Sequence, residues 1–186
     1  MPSMELTDEQ VLADTRRWIE QAVIGLNLCP FARSVYVKNQ VRIVVSRARH
    51  LDAFLDELDL ELDLLENTPA EQIDTTLLVH PTLFPVFEVF NDFMNVVDDV
   101  VAEHELEGVI QVAHFHPDFV FEGETESDMS HFTNRAPYPT LHLLREDSVE
   151  RAVASEGGDA EAIVERNIRT LRELGPQGWA DLLGKG

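Results

Sequence analysis

Residues 109–146 read VIQVAHFHPDFVFEGETESDMSHFTNRAPYPTLHLLRE, and this stretch decides how the fold is interpreted. Apolar and β-branched residues predict strands at 109–115 and 140–145, and 119–121 is a candidate short strand in the loop between them. A loop of this kind lets the two strands return on each other as an antiparallel pair. The stretch also carries several side chains that are able to do chemistry: His114, His116, Asn134, Arg135 and His142.

The sequence around this stretch alternates between helical and strand-like patterns. Apolar residues at helical spacing predict helices at 8–24, 50–66, 84–106 and 148–155, and from 159 onward. Strands are predicted at 41–46 and 74–80, with 35–37 as a candidate hairpin partner of the first. Single helices between strands favour parallel neighbours. We therefore predict an α/β fold, with α+β as the alternative, in which a single domain over residues 1–186 contains a mixed sheet of four to five strands covered by helices.

The composition limits the partners that we expect. The chain has 14 Lys and Arg residues against 35 Asp and Glu residues, a formal net charge of −21. A surface this negative repels nucleic acids and anionic lipids. The sequence shows no run of about 18 apolar residues and no basic-then-apolar signal pattern. Its one cysteine rules out an internal disulfide and fits a reducing compartment. We expect a cytoplasmic protein with neither a nucleic acid nor a membrane as its partner.

The histidines of the two central strands suggest a metal site. His114 and His116 are two residues apart, so both rings should project from one face of their strand. His142 lies in the neighbouring strand, and three imidazoles fit a zinc or iron site with one position open. His80, at the end of another strand, or Cys29 could complete the set. The alternative is that these histidines make ordinary hydrogen bonds at strand ends.

Cys29 is a candidate nucleophile, with His116 or His142 as its base. A reactive thiolate needs a partner that lowers its pKa. Cys29 follows a helix C-terminus, where the helix dipole is unfavourable for a thiolate. The alternative is a buried cysteine that acts as a small apolar residue.

Arg135 precedes the rigid segment Pro137-Tyr138-Pro139 and offers a planar guanidinium on a stiff loop. In so acidic a chain, an exposed guanidinium at a cavity would suit a carboxylate or phosphate ligand. The alternative is an ion pair with one of the 35 acidic residues.

Four blocks of this sequence resemble a bacterial family known as domain-of-unknown-function family 1415. The blocks occur in the same order and cover nearly the whole chain: GLNLCPFA (25–32), TTLLVHP (75–81), FHPDF (115–119) and NRAPYPTLHLLRED (134–147). The resemblance implies no particular activity, but it implies which positions deserve most weight. Members similarly carry ten of the polar residues within these blocks: Asn27, Cys29, His80, His116, Asn134, Arg135, Tyr138, His142, Arg145 and Glu146.

The family pattern also differs from this chain at two points. Members usually have serine where this chain has Ala136, which argues against a nucleophilic serine there. The residue at the position of His114 varies among members, which weakens a metal site through His114. The resemblance therefore favours Cys29, His116 and His142 as the reactive set, with His80 as a further metal ligand.

Two hypotheses from different classes remain open. In the first, the protein is an enzyme with a small-molecule pocket at the strand ends. Its chemistry would come from Cys29, His116 and His142, with a divalent metal, zinc or iron, on His80, His116 and His142 as one version. An anionic ligand would be held by four residues: Asn27, Asn134, Arg135 and Tyr138. In the second, the protein is a non-catalytic binding or assembly module. There the histidines are structural, and the phenylalanine-rich segment 84–101 is either buried or forms the interface of a homo-oligomer.

Overall fold

The computed structural model describes residues 5–184, and its centre is a four-stranded mixed sheet. The strands are β1 (Val41–Val45), β2 (Thr75–Val79), β3 (Ile110–Phe115) and β4 (Thr140–Arg145). Their order across the sheet is β1-β2-β4-β3. β1 and β2 are parallel, whereas β4 is antiparallel to both β2 and β3. The predicted mixed sheet is confirmed, as is the antiparallel pairing of its two central runs. The first three strands end at one edge of the sheet, where β4 begins.

The N-terminal helix begins as predicted but changes its geometry halfway. The Thr7 hydroxyl accepts a hydrogen bond from the Gln10 amide, and the Gln10 side chain returns the contact, so α1 (Asp8–Trp18) starts with a capping box. The chain then continues as a π-helix over Ile19–Ile24. Directly after it, a Cβ atom at Gly25 would lie 2.1 Å from the Gln21 carbonyl oxygen. Only glycine therefore fits the chain as it leaves this wider turn.

The remaining helices are α2 (Ala32–Val37), α3 (Leu51–Glu66), α4 (Phe87–Glu103), a 3-10 helix (Met129–Asn134), α5 (Glu146–Ser155) and α6 (Ala160–Leu183). Four of these helices correspond to predicted segments, whereas α2 and the 3-10 helix were not predicted. α6 is interrupted at Gly175, where φ is 72° and Pro176 follows. A positive φ is readily adopted by glycine, and proline cannot donate the next helical hydrogen bond. The helix axis of α6 therefore changes direction at Gly175.

Two predicted strands are wrong. Residues 35–37 lie in α2, because a pattern of three residues fits either a strand or one helical turn. Residues 119–121 pair with no strand of the described chain. Instead, the Phe119 carbonyl accepts a hydrogen bond from Arg135 Nε, and the Phe121 amide donates to Nδ1 of His131. Side chains of the loop thus satisfy the backbone that a sheet would otherwise pair.

The sheet separates two apolar cores. α3 and α4 cover one face, where they pack against Leu78, Leu141 and Leu143. α1, the π-helix and α6 cover the other face, where they pack against Leu77 and Val79. Adjacent residues of β2 therefore point to opposite cores, as strand alternation requires. Among residues 5–184, no helix combines the length and apolar content that are needed to cross a bilayer.

The phenylalanine-rich helix α4 turns its aromatic side chains inward. Phe87, Phe90 and Phe93 are each less than a tenth exposed. Phe90 and Phe93 pack in the core beneath α3, and Phe87 packs against His116 and Phe119. Burial of one such side chain contributes about 1.5–3 kcal/mol relative to exposure. The apolar side chains that α4 and its N-cap leave in solvent are valines, among them Val86 and Val89. The phenylalanines of α4 are therefore accounted for by the core.

Candidate functional site

His116 and His142 lie on opposite faces of the sheet. The register pairs Ala113 of β3 with His142 of β4, so His142 shares its face with Phe115, whose ring centroid is 6.0 Å away. His116 is one position further along and points the other way. His116 packs against the rings of Phe87 and Phe90 in α4, with centroids 5.5 and 5.8 Å away. These two imidazoles are therefore not brought together, as a shared site for one metal ion or one substrate would require.

His80 is held by backbone groups at both ring nitrogens. Its Nε2 lies 2.7 Å from the carbonyl oxygen of Ala48, and its Nδ1 accepts from the amides of Thr82 and Leu83 at 3.1 and 2.8 Å. These partners require a neutral ring with its proton on Nε2. Burial lowers the pKa of His80, which favours the same neutral form. Neither nitrogen has a lone pair available for a metal.

His116 repeats this arrangement at the end of β3. Its Nε2 lies 2.8 Å from the carbonyl oxygen of Phe84, and its Nδ1 accepts from the Asp118 amide at 3.0 Å. Like His80, it is about 1% exposed and is followed by a proline. In both cases the ring closes the turn after a strand and connects it to another segment. His80 and His116 therefore have equivalent structural roles, each at the end of a strand and each followed by a proline.

His142 links β4 to β2. Its Nε2 lies 2.8 Å from the Thr75 hydroxyl oxygen, and that hydroxyl donates its own proton to the Leu143 carbonyl at 2.6 Å. The imidazole must then be the donor to Thr75. Burial lowers the pKa of His142 to about 4, so the ring is neutral near pH 7 and is a weak base there.

The predicted metal ligands are not assembled into one site. His80 and His116 use both ring nitrogens on backbone groups, and His142 is on the other side of the sheet. Within residues 5–184, no group of three or more His, Cys, Asp and Glu side chains has the arrangement of a metal site. The zinc or iron site expected from the histidine pattern therefore has no counterpart in this geometry.

Cys29 lies in the loop after the π-helix, in surroundings that do not activate a thiol. Burial raises the pKa of its thiol, and the amides of Phe31 and Ala32 only partly offset that effect. No imidazole or guanidinium of the described chain contributes to the shift. The loop itself is anchored to α6, because Asn167 Nδ2 donates to the Leu28 carbonyl at 2.6 Å. Cys29 thus has the environment of a protonated structural thiol.

Asn27 turns the chain at the start of the same loop. Its φ is 52°, in the left-handed region that asparagine tolerates better than most residues. The residue is exposed and does not line the cavity at the ends of β3 and β4 that is described next. Its conformation explains its presence without a ligand.

A cavity of about 310 Å³ opens at the sheet edge where β3 ends and β4 begins. Pro117 follows β3 there, and Ala136 and Pro137 precede β4. α1 and the terminal part of α6 complete the wall of the cavity. The lining residues are Asp14, Arg17, Pro117, Phe132, Arg135, Ala136, Pro137, Trp179, Leu183 and Gly184. Of the residues predicted as site residues, only Arg135 lines this cavity.

Arg135 is fixed in place but keeps most of its donors. Its Nε donates to the Phe119 carbonyl at 3.1 Å, and its guanidinium carbon lies 4.3 Å from the centre of the Phe132 ring. Burial lowers the pKa of Arg135, although a guanidinium stays charged in proteins. Its two Nη groups make no hydrogen bond or ion pair within residues 5–184. The group is therefore oriented and still able to bind an anion.

Arg17 contributes a second guanidinium from the last turn of α1. It too forms no ion pair with the described part of the chain. In a protein with 35 carboxylate side chains, we would expect two arginines at one cavity to be paired with acids, and among the described residues they are not. Together they make this cavity locally positive.

Asn134 and Tyr138 support the cavity from outside it. Asn134 Nδ2 donates to the His114 carbonyl at 3.1 Å, and the Asn134 carbonyl accepts from the His116 amide at 3.1 Å, so the loop before Arg135 is tied to β3. The Tyr138 hydroxyl donates to Asp14 Oδ2. Burial, with further help from Asp14, raises the pKa of Tyr138 and keeps its proton in place. Both residues position groups that line the cavity.

The cavity residues contributed by the helices were not predicted from the sequence. Asp14 and Arg17 stand three positions apart on α1 and therefore share one of its faces. Trp179 lies beyond the break in α6 at Gly175. One signal was available, since the chain has only 14 basic residues against 35 acidic ones and two of the basic residues are adjacent, at positions 16 and 17.

Comparison with known proteins adds a family and nothing more specific. A family model described as a protein of unknown function (DUF1415) matches residues 10–181 of the chain. No curated protein and no solved structure matches it significantly.

Proposed function

The chain belongs to the DUF1415 family, whose function is unknown, and we propose from its own geometry that it binds a small organic anion in the cavity lined by Arg17 and Arg135. The cavity lies at the strand ends, and its size is at the lower end of the range for small-molecule sites, about 300–1,000 Å³. The observation that carries the proposal is the pair of guanidiniums that form no ion pair within the described chain, where Asp118 acts on Arg135 only from a longer distance.

The walls of the cavity support a ligand that is partly apolar. Phe132 and Trp179 meet edge to face, with ring centroids 5.1 Å apart, and Pro117 and Pro137 also line the cavity. Apolar walls with a few oriented polar groups are typical of ligand sites. The stacking of Arg135 on Phe132 also keeps the guanidinium from collapsing onto nearby acids.

Binding, without Cys–His or metal chemistry, is the function that this arrangement supports. Cys29, His80, His116 and His142 line no part of the cavity, and the hydrogen bonds of the three histidines connect structural segments. The structural role of the histidines belonged to the second hypothesis. Homo-oligomer formation through α4 stays a prediction. The apolar side chains that α4 exposes for such an interface are valines such as Val89.

The test is a titration of the full chain with inorganic phosphate, benzoate and citrate, followed by calorimetry and by tryptophan fluorescence. We expect at least one of these anions to bind and to change the emission of Trp179, which lines the cavity. Removing one charged hydrogen bond costs about 1.5–3 kcal/mol. We therefore expect Arg17→Gln and Arg135→Gln each to weaken binding about tenfold or more.

Arg16→Gln is the matched control, because Arg16 adjoins Arg17 on α1, is exposed and lies outside the cavity. It should leave the affinity within about twofold of the wild type, since rim charges contribute little. An equal loss of affinity in Arg16→Gln would show that binding depends on the overall charge of the protein and not on the arginines of the cavity. The absence of binding by all three anions at millimolar concentration would overturn the proposal.

A further inference from the structure

Asp14 places a carboxylate in the same cavity as the two arginines, and the opposite charges do not neutralise each other. All three side chains line the cavity. No guanidinium nitrogen of Arg17 or Arg135 comes within 4.0 Å of an oxygen of Asp14. Opposite charges that share a concave site normally pair, because each desolvated charge needs a partner. Something in this cavity keeps them apart.

The carboxylate of Asp14 is held by Tyr138. The hydroxyl of Tyr138 donates to Oδ2, which leaves the lone pairs of Oδ1 without a hydrogen-bond donor in the described chain. Tyr138 is itself on the short rigid segment before β4, so the acceptor is fixed relative to the sheet. A carboxylate oriented in this way can accept from an ammonium group.

Arg135 is held away from Asp14 by different partners. The Phe119 carbonyl and the Phe132 ring fix the guanidinium on the loop side of the cavity. The positive and negative groups are therefore separately anchored. A ligand that carries both charges would satisfy both groups at once, whereas a simple anion would leave Asp14 facing it.

We propose that the ligand is a zwitterionic amino carboxylate, an α-amino acid with an apolar side chain. This inference rests on the proposed anion-binding function and assigns the substrate class of the same cavity. The carboxylate binds Arg17 and Arg135, and the ammonium group binds Asp14. The apolar side chain packs against Trp179, Phe132 and Leu183.

The experiment compares three amino acids with the same molecules lacking the amino group. The pairs are phenylalanine with 3-phenylpropanoate, leucine with 4-methylpentanoate, and methionine with 4-(methylthio)butanoate, titrated into the full chain by calorimetry. We expect at least one amino acid to bind about tenfold or more tightly than its partner, because a charged pair contributes on that scale. This comparison uses the wild-type protein and so does not depend on the folding of a variant.

Asp14→Asn then tests the residue assigned to the ammonium group. The asparagine oxygen can still accept from Tyr138, so the support of the loop is retained. The variant should lose the preference, with weaker binding of the amino acid and unchanged or tighter binding of the deaminated partner. Equal losses for both members of a pair would overturn the assignment.

The failure of this inference can be told apart from failure of the proposed function. If the deaminated molecules bind the wild type as well as the amino acids do, and Arg135→Gln weakens both, the anion site stands and the zwitterion is refuted. If no member of any pair binds at millimolar concentration, the zwitterion is refuted, and the outcome with phosphate, benzoate and citrate decides the anion site.

Discussion

Replacement of His116 by alanine separates a structural histidine from a catalytic one. The ring is about 1% exposed, packs between Phe87 and Phe90, and makes two hydrogen bonds to the backbone. Truncation of a buried ring costs about 2–3 kcal/mol, and loss of two neutral hydrogen bonds costs about 0.5–1.5 kcal/mol each. We therefore expect a decrease of about 3–6 kcal/mol in the free energy of unfolding.

For a chain of this size, the decrease corresponds to a melting temperature lower by about 6–24 °C. Urea unfolding followed by circular dichroism measures the free energy, and differential scanning calorimetry measures the temperature. Below the transition, the affinity for any ligand of the cavity should equal that of the wild type, since His116 does not line the cavity.

Two further variants divide the effect between the ring nitrogens. His116→Asn can still accept from the Asp118 amide, and His116→Gln can still donate to the Phe84 carbonyl. Each should lose less stability than His116→Ala. The reasoning is refuted if His116→Ala unfolds within about 1 kcal/mol of the wild type. It is equally refuted if a well-folded variant loses ligand binding.

Two other predictions concern single titrating groups. The hydrogen bond to Asp59, together with Asp63, raises the pKa of His104 above its ordinary value. The resulting stability is fully present below that ordinary value and is lost as pH rises through the raised pKa. Between pH 5.5 and pH 9, the free energy of unfolding should therefore fall further in the wild type than in His104→Gln, by about 1 kcal/mol or less. An identical decrease in the two proteins would contradict the prediction. Because burial raises the pKa of Cys29, alkylation by iodoacetamide should show an apparent pKa above about 8.5, and a midpoint below 7 would restore the thiolate hypothesis.

The fold could be predicted where one segment carries its own signal. β4 has the predicted bounds of 140–145, because Pro139 precedes the apolar run and a helix begins directly after it. The Thr7 capping box was also readable from spacing, whereas the spacing of the phenylalanines in α4 left burial and an oligomer interface open. The failures at 35–37 and 119–121 are short segments whose state depends on tertiary contacts.

The site could be predicted only in part, for a physical reason. Alternation along one strand puts His114 and His116 on one face, and both contact α4. The face of His142 depends on the register between β3 and β4, which a sequence does not state. In the same way, Arg135 was found because its loop is distinctive. Its cavity partner Arg17 is more than a hundred residues away in an ordinary helix.

The position of β4 has a consequence for the order in which the chain can fold. β2 and β3 do not pair with each other, and the strand that joins them is the last of the four to leave the ribosome. Until β4 has been synthesised, β3 therefore has no partner strand in this sheet. Pairing of β2 with β4 closes a loop of more than 60 residues, between partners such as Leu77 and His142. Because contacts between residues so far apart in sequence form slowly, we expect β3 to join the sheet late in folding.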